Sequence, residues 1–106
     1  MIAASTSGFN VYPPEVEAAI NSHQDVVHAA VIGQQESDGN EKVLAFVERA
    51  PHTNIDEAAL HEYIKGELAP YKRPARIVVT DALPLSTAGK VLKYRLLDVF
   101  GRQLAD

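Results

Sequence analysis

Two apolar runs decide the fold of this chain: VVHAAVI at residues 26–32 and VLAFV at residues 43–47. In the first run, apolar residues occupy both alternating sets of positions, which predicts a strand that is buried on both faces at the centre of a sheet. The second run is short and continuous, as expected of another buried strand. A polar stretch at residues 33–41 separates the runs, so we expect the two strands to pair antiparallel.

Helical patterns lie on both sides of this predicted hairpin. Pro13 and Pro14 suit the first turn of a helix, because a missing N–H costs nothing there. Farther along the chain, Asp56 is a suitable N-cap for a second helix that Pro70 ends. A third strand at residues 76–80 and a last helix complete the order α-β-β-α-β-α. The sequence therefore predicts a small two-layer α+β domain, with about three strands in a mainly antiparallel sheet, formed by the whole chain as one domain.

Composition excludes several classes of function. A net charge of −4 provides no overall basic field to hold nucleic acid or an anionic membrane. Cysteine is absent, which excludes disulfides, thiolate metal sites and cysteine nucleophiles, and the four histidines show no metal-ligand spacing. No apolar run approaches the roughly 18 residues of a membrane span, and the first residues do not resemble a signal peptide. We therefore expect a cytoplasmic protein that binds neither a metal nor nucleic acid.

One lysine follows a glycine in a turn-forming segment, PLSTAGKV at residues 84–91. A phosphate-binding Walker A loop would need glycine at position 84 and serine or threonine at position 91, where this chain has Pro84 and Val91. That class of site is therefore excluded. Lys90 remains as a cation that we expect immediately before the last helix, where it would oppose the helix dipole. The alternative interpretation is a solvated surface lysine.

A second cluster of cations is YKRPAR at residues 71–76, in an otherwise acidic chain. Arginine and lysine side chains bind phosphates, and the face of a tyrosine ring can stack on a purine. The segment is therefore a candidate nucleotide contact. A generic basic turn on the surface is the alternative.

Two stretches resemble signatures of one enzyme superfamily. SGFNVYPPEVE at residues 7–17 resembles a motif of the adenylate-forming acyl-CoA synthetases, and PLSTAGKVLK at residues 84–93 resembles their terminal motif. YKRP at residues 71–74 lies between them at the spacing of the family. The resemblance covers essentially the whole chain, yet it corresponds only to the small carboxy-terminal domain of a larger enzyme.

The resemblance implies a two-step ligase that uses ATP, a carboxylic acid and CoA, with AMP released in the second step. Its partner would be a large amino-terminal domain, which would also hold the Mg²⁺ that accompanies ATP. Lys90 matches the lysine that contacts carboxylate and phosphate oxygens during adenylation. Since this chain has neither the ATP-binding loop nor an acyl pocket, we expect the isolated chain to be inactive.

The same resemblance implies a CoA-binding side. Gly8 and Phe9 match the loop that lines the tunnel for the pantetheine arm of CoA, and Tyr71 and Arg73 match contacts to the CoA nucleotide in some members. Some relatives have a lysine at position 75, where this chain has alanine, and Arg76 is the proposed substitute.

Two alternatives stay open at this point. Adenylation domains of peptide synthetases share the fold and the lysine, although they usually carry an arginine-isoleucine-glutamate run at the first motif. A free-standing, non-catalytic module that binds a nucleotide, CoA or a partner protein belongs to a different class of function. The chain itself does not separate this module from a domain of a ligase.

Overall fold

The structure, a computed structural model, describes residues 4–6, 9–37, 39 and 41–105. An amino-terminal hairpin of β1 and β2, which the sequence did not predict, precedes the expected order α-β-β-α-β-α. Short 3₁₀ turns lie at Pro70–Lys72 and Lys93–Arg95. The elements are β1 (Ala4–Thr6), β2 (Phe9–Val11), α1 (Pro13–Asn21), β3 (Val26–Gln35), β4 (Glu41–Arg49), α2 (Glu57–Ile64), β5 (Arg76–Thr80) and α3 (Leu96–Ala105).

The main sheet has three strands in the order β3-β4-β5. β3 pairs antiparallel with β4, with Ala30 opposite Phe46, whereas β5 pairs parallel with β4, with Val78 opposite Phe46. The sheet is therefore mixed. The predicted central place of the first strand is wrong: β4 is the central strand and β3 lies at an edge, where Val27 is 44% exposed. The continuous apolar run of β4 is the stronger sign of burial on both faces.

Alternate residues of β4 pack into two separate hydrophobic clusters, because successive side chains of a strand point to opposite faces of the sheet. Val43, Ala45 and Val47 lie in the cluster that contains residues of α1 and α2. Leu44 and Phe46 lie in the other cluster, which contains residues of α3. The α+β class is confirmed, but helices cover both faces of the sheet, so the domain has a helix–sheet–helix arrangement instead of the expected two layers.

The ends of the helices differ from prediction in two places. The Asp56 cap is confirmed, since its carboxylate accepts the amide of Ala59 at 2.8 Å. However, α2 ends at Ile64, and Pro70 begins a 3₁₀ turn instead of stopping the helix. Likewise, α3 begins only at Leu96. No helix in the described part of the chain is long and apolar enough to cross a membrane.

Candidate functional site

The main chain closes the loop that carries the candidate lysine. We call residues 85–91 the Lys90 loop. Its two ends, Leu85 and Val91, form an isolated antiparallel bridge. Within it, the amide of Ser86 donates to the carbonyl of Lys90 at 2.8 Å, and the amide of Gly89 donates to the carbonyl of Ser86 at 2.9 Å. The loop therefore satisfies much of its own hydrogen bonding and holds one defined shape.

Two residues of the terminal motif shape this loop further. The hydroxyl oxygen of Ser86 accepts the amides of Ala88 and of Lys90, each at 3.2 Å. Gly89 has a φ of 81°, in the left-handed region that favours glycine. A Cβ added at Gly89 would meet no atom within 4 Å, so the glycine is required by its backbone conformation and not by lack of space.

Lys90 itself is exposed and lies six residues before α3 begins. The expectation that it lies immediately before the last helix is therefore wrong, and the helix dipole gives no argument about this lysine. Within the part of the chain that the structure describes, its ammonium has neither a hydrogen-bond nor an ion-pair partner. The loop thus presents an exposed cation that forms no polar contact with the described part of the chain.

The second cluster of cations differs from Lys90, because its arginines form hydrogen bonds within the fold. In residues 71–76, which we call the basic segment, the guanidinium of Arg73 donates from Nε to the carbonyl of Leu68 at 3.0 Å and from Nη2 to that of Lys65 at 3.2 Å. These carbonyls lie just beyond the end of α2, where helical partners are lacking. Arg73 therefore stabilises the segment that follows α2.

Arg76 forms a two-pronged ion pair with Glu57 of α2. Its Nε lies 3.0 Å from Oε2 and its Nη2 lies 3.3 Å from Oε1. The same Oε2 accepts the amide of Ile77 at 2.9 Å and contacts His61 Nε2 at 3.1 Å. Partial burial would raise the pKa of Glu57, but the hydrogen bonds from Arg76, Ile77 and His61, with the charge of Arg76, outweigh it and lower the pKa to about 2.

Two lysines tie other segments to the first helix. Lys72 of the basic segment donates to Glu15 at 2.8 Å, and that hydrogen bond raises the pKa of Lys72. Lys93, just after the Lys90 loop, pairs with Glu17 at 2.7 Å. The sequence placed Glu17 only near the positive end of the helix dipole, and it predicted neither the contact of Glu17 nor that of Glu57. Their signal was weak, since a carboxylate on a helix is ordinary surface composition.

The predicted CoA-side residues fall into two neighbouring segments. β2, which contains Phe9, contacts the Pro70–Lys72 turn, which contains Tyr71. Tyr71 is 37% exposed, and the ammonium of Lys72 lies 5.5 Å from the centre of its ring. Gly8 lies outside the described residues. The structure thus brings the strand of Phe9 next to the turn of Tyr71, and it places Arg73 and Arg76 in contacts within the fold.

The described ranges contain no cluster of side chains suited to a metal ion. No three carboxylate or histidine side chains there converge as a metal site would require. A cleft of about 240 Å³ is lined by Arg49, Glu57 and Arg76 among others, and the two arginines in it are already paired with carboxylates. This cleft has little free positive charge to offer an anionic ligand.

Comparison with known proteins gives a consistent result. Residues 15–90 match the family model described as AMP-binding enzyme C-terminal domain. The chain is 43% identical over 91 residues to 2-succinylbenzoate–CoA ligase of Geobacillus kaustophilus, a match that covers 86% of this chain and 19% of that protein. It is 36% identical over 90 residues to 4-coumarate–CoA ligase-like 5 of Oryza sativa subsp. japonica, covering 85% of this chain and 17% of that protein.

Solved structures agree with the sequence matches. Apo MatB from Rhodopseudomonas palustris matches with a TM-score of 0.81 and 41% identity, over 92% of this chain and 20% of that one. A fatty acyl CoA synthetase of Mycobacterium tuberculosis matches with a TM-score of 0.81 and 32% identity, over 95% of this chain and 20% of that one. The chain spans about one fifth of the length of these relatives. It belongs to the family of AMP-binding enzyme C-terminal domains, within the adenylate-forming superfamily.

Proposed function

We propose that this chain is the small domain of an ATP-dependent acyl-CoA ligase and that Lys90 supplies the cation for adenylation. The observation that carries the proposal is the Lys90 loop: a main-chain lock presents an exposed ammonium that has no partner among the described residues. Relatives named as CoA ligases supply the reaction class. The active site would be completed by a large domain that supplies the ATP-binding loop and the acyl pocket.

The chemistry explains why a cation is needed. In the first step an oxygen of the carboxylate attacks the α-phosphorus of ATP, forming an acyl-adenylate and releasing pyrophosphate. Both reactants are anions, so a cation close to the carboxylate and phosphate oxygens offsets their repulsion and the charge that develops in the transition state. In the second step the thiol of CoA attacks the acyl carbonyl and AMP leaves. Mg²⁺ would enter with the phosphates of ATP and bind outside this domain.

The CoA side of the proposal rests on the segments of Gly8, Phe9 and Tyr71. The contact between β2 and the Pro70–Lys72 turn supports a shared role for Phe9 and Tyr71. Arg73 is compatible with a CoA contact, because a guanidinium has five N–H donors and the two hydrogen bonds to Leu68 and Lys65 use only part of them. Arg76 would have to share its guanidinium with Glu57, so its proposed role depends on the resemblance alone.

A chimera tests the adenylation role directly. In it, this chain replaces the matching segment of Rhodopseudomonas palustris MatB, and the two half-reactions are measured as pyrophosphate release and as thioester formation from supplied acyl-adenylate. We expect Lys90→Ala to slow pyrophosphate release about a hundred- to a thousandfold, while thioester formation stays within about threefold. Lys65→Ala, at another exposed lysine, is the matched control and should affect neither step. Equal loss in both steps would reject the role of Lys90.

Assays of the isolated chain distinguish a ligase domain from a free-standing binding module. We expect no pyrophosphate release when the chain alone is given ATP and a carboxylic acid. Release by the chain alone would contradict the proposal. A folded chimera that is inactive, together with tight binding of CoA or a nucleotide by the isolated chain, would instead identify a binding module.

A further inference from the structure

We propose that Glu17 is a positioning residue for Lys90 and that it acts through Lys93. The inference rests on the proposed function in one respect, namely that Lys90 is the adenylation cation. Glu17 lies in α1, within the first of the two motifs, whereas Lys93 ends the second. The ion pair between them joins the two motifs in space.

The geometry at Glu17 is well defined. Its Oε2 accepts the amide of Val31 at 2.8 Å and the ammonium of Lys93 at 2.7 Å. The side chain of Glu17 is 20% exposed, so water screens this ion pair less than it screens an exposed one. Glu17 therefore links three elements: α1, the edge of β3, and the Lys93–Arg95 turn.

A short main-chain path connects this ion pair to the candidate cation. The amide of Leu92, the residue before Lys93, donates to the carbonyl of Pro84 at 2.9 Å. Val91, which precedes Leu92 and follows Lys90, forms the bridge with Leu85 that closes the Lys90 loop. Because each step is held by backbone contacts, a displacement at Lys93 moves the base of the loop and therefore the ammonium. A misplacement of about 1 Å can cost on the order of a hundredfold in rate.

A second ion pair on the same helix provides a matched comparison. Glu15 pairs with Lys72 at 2.8 Å and ties α1 to the basic segment instead of the Lys90 loop. Glu15 is 47% exposed, so we expect the fold to tolerate the loss of its charge, because an exposed ion pair contributes little to stability. If Glu17 acts on Lys90 through Lys93, the equivalent change at Glu15 must leave adenylation unaffected.

The first experiment uses the MatB chimera. Glu17→Gln removes the charge yet keeps an oxygen that can accept the amide of Val31, and Lys93→Met removes the other partner. We expect each to lower kcat for pyrophosphate release about tenfold, with the KM for ATP and thioester formation from supplied acyl-adenylate within about twofold. The double variant should be no worse than either single one. Lys93→Arg should restore the rate, and Glu15→Gln should not change it.

The second experiment does not depend on ligase activity. In ¹H–¹⁵N spectra of the 106-residue chain, Glu17→Gln and Lys93→Met should shift the amide signals of Ser86, Ala88 and Lys90 and speed their hydrogen exchange, whereas Glu15→Gln should not. Unchanged loop amides, or unchanged adenylation despite altered amides, would overturn the inference. If Glu17→Gln does not fold, the exposed partner variant Lys93→Met decides. Full activity of Lys90→Ala would instead defeat the proposed function, while the amide signals would still report the link.

Discussion

The Lys90 loop and the basic segment are both short and both carry cations, yet they are stabilised in opposite ways. In the Lys90 loop the main chain, the hydroxyl of Ser86 and the conformation of Gly89 hold the shape, and the ammonium of Lys90 takes no part among the described residues. In the basic segment the cationic side chains themselves hold the shape, because Arg73 and Arg76 bind carbonyls and a carboxylate of the fold. A cation is available for chemistry where the fold does not need it.

The largest loss of stability is expected at Glu57, which pairs with Arg76 of the basic segment. Glu57→Ala removes the carboxylate that accepts the amide of Ile77 and the Nε of Arg76, so the Ile77 amide loses its acceptor, while Nη2 of Arg76 keeps the carbonyl of Gln103 at 3.4 Å. Groups left unsatisfied in this way typically cost about 1–3 kcal/mol, so we expect a loss of about 2 kcal/mol in the free energy of unfolding, measured by urea denaturation. Glu62→Ala, at an exposed carboxylate of the same helix, should leave it essentially unchanged, because an exposed ion pair contributes little. Equal effects of the two variants would contradict the role of Glu57.

The same carboxylate predicts how stability depends on pH. The pKa of Glu57 falls from 4.5 to about 2 on folding, so between these values the unfolded chain binds more protons than the folded one. The stabilisation from Glu57 is therefore complete above pH 4.5 and is lost as the pH falls towards 2. Urea midpoints measured across this range should decline more steeply for the parent chain than for Glu57→Gln. Parallel curves would show that Glu57 keeps an ordinary pKa.

The apolar pattern predicted much of this fold, because burial leaves a periodic trace in sequence. Residues 43–47 became the central strand, residues 76–80 became β5, and the Asp56 cap was confirmed. The position of β3 at an edge could not be predicted, since its alternating positions are nearly as apolar as those of a central strand. The parallel pairing of β5 also depends on how α2 crosses the sheet, which local periodicity does not record.

The candidate site was predictable in a different way. The turn-forming residues around Lys90 indicated a shaped loop, and the contacts of Ser86 and Gly89 are what such residues provide. The contacts of Arg73, Arg76 and Glu17 were not predictable, because each partner is distant in sequence and only the fold brings it near. The sequence thus indicated where a cation is presented, but not which other cations form hydrogen bonds or ion pairs within the fold.

A moderate effect is expected at the backbone of the Lys90 loop. Gly89→Ala forces a side chain into a left-handed conformation, which should cost about 1 kcal/mol although the added methyl group meets no atom. Gly101→Ala is the matched control, because Gly101 lies inside α3, also with open space around its Cα. Alanine there should stabilise the chain by about 0.5–1 kcal/mol. Changes of opposite sign for the two variants in thermal denaturation would support the role of the Gly89 conformation in shaping the Lys90 loop. A Gly89→Ala variant with unchanged stability would contradict that role.

The smallest expected effect is at Lys90 itself, and it is the sharpest test of the comparison. Because its ammonium has no partner in the described part of the chain, Lys90→Ala should change the free energy of unfolding by less than about 0.5 kcal/mol. Arg73→Ala, which removes two hydrogen bonds to carbonyls after α2, should cost about 1 kcal/mol in the same urea titration. A stability loss at Lys90 as large as at Arg73 would mean that the fold does need this cation. The contrast between the two regions would then fail, and so would the argument that the loop holds Lys90 ready for a substrate.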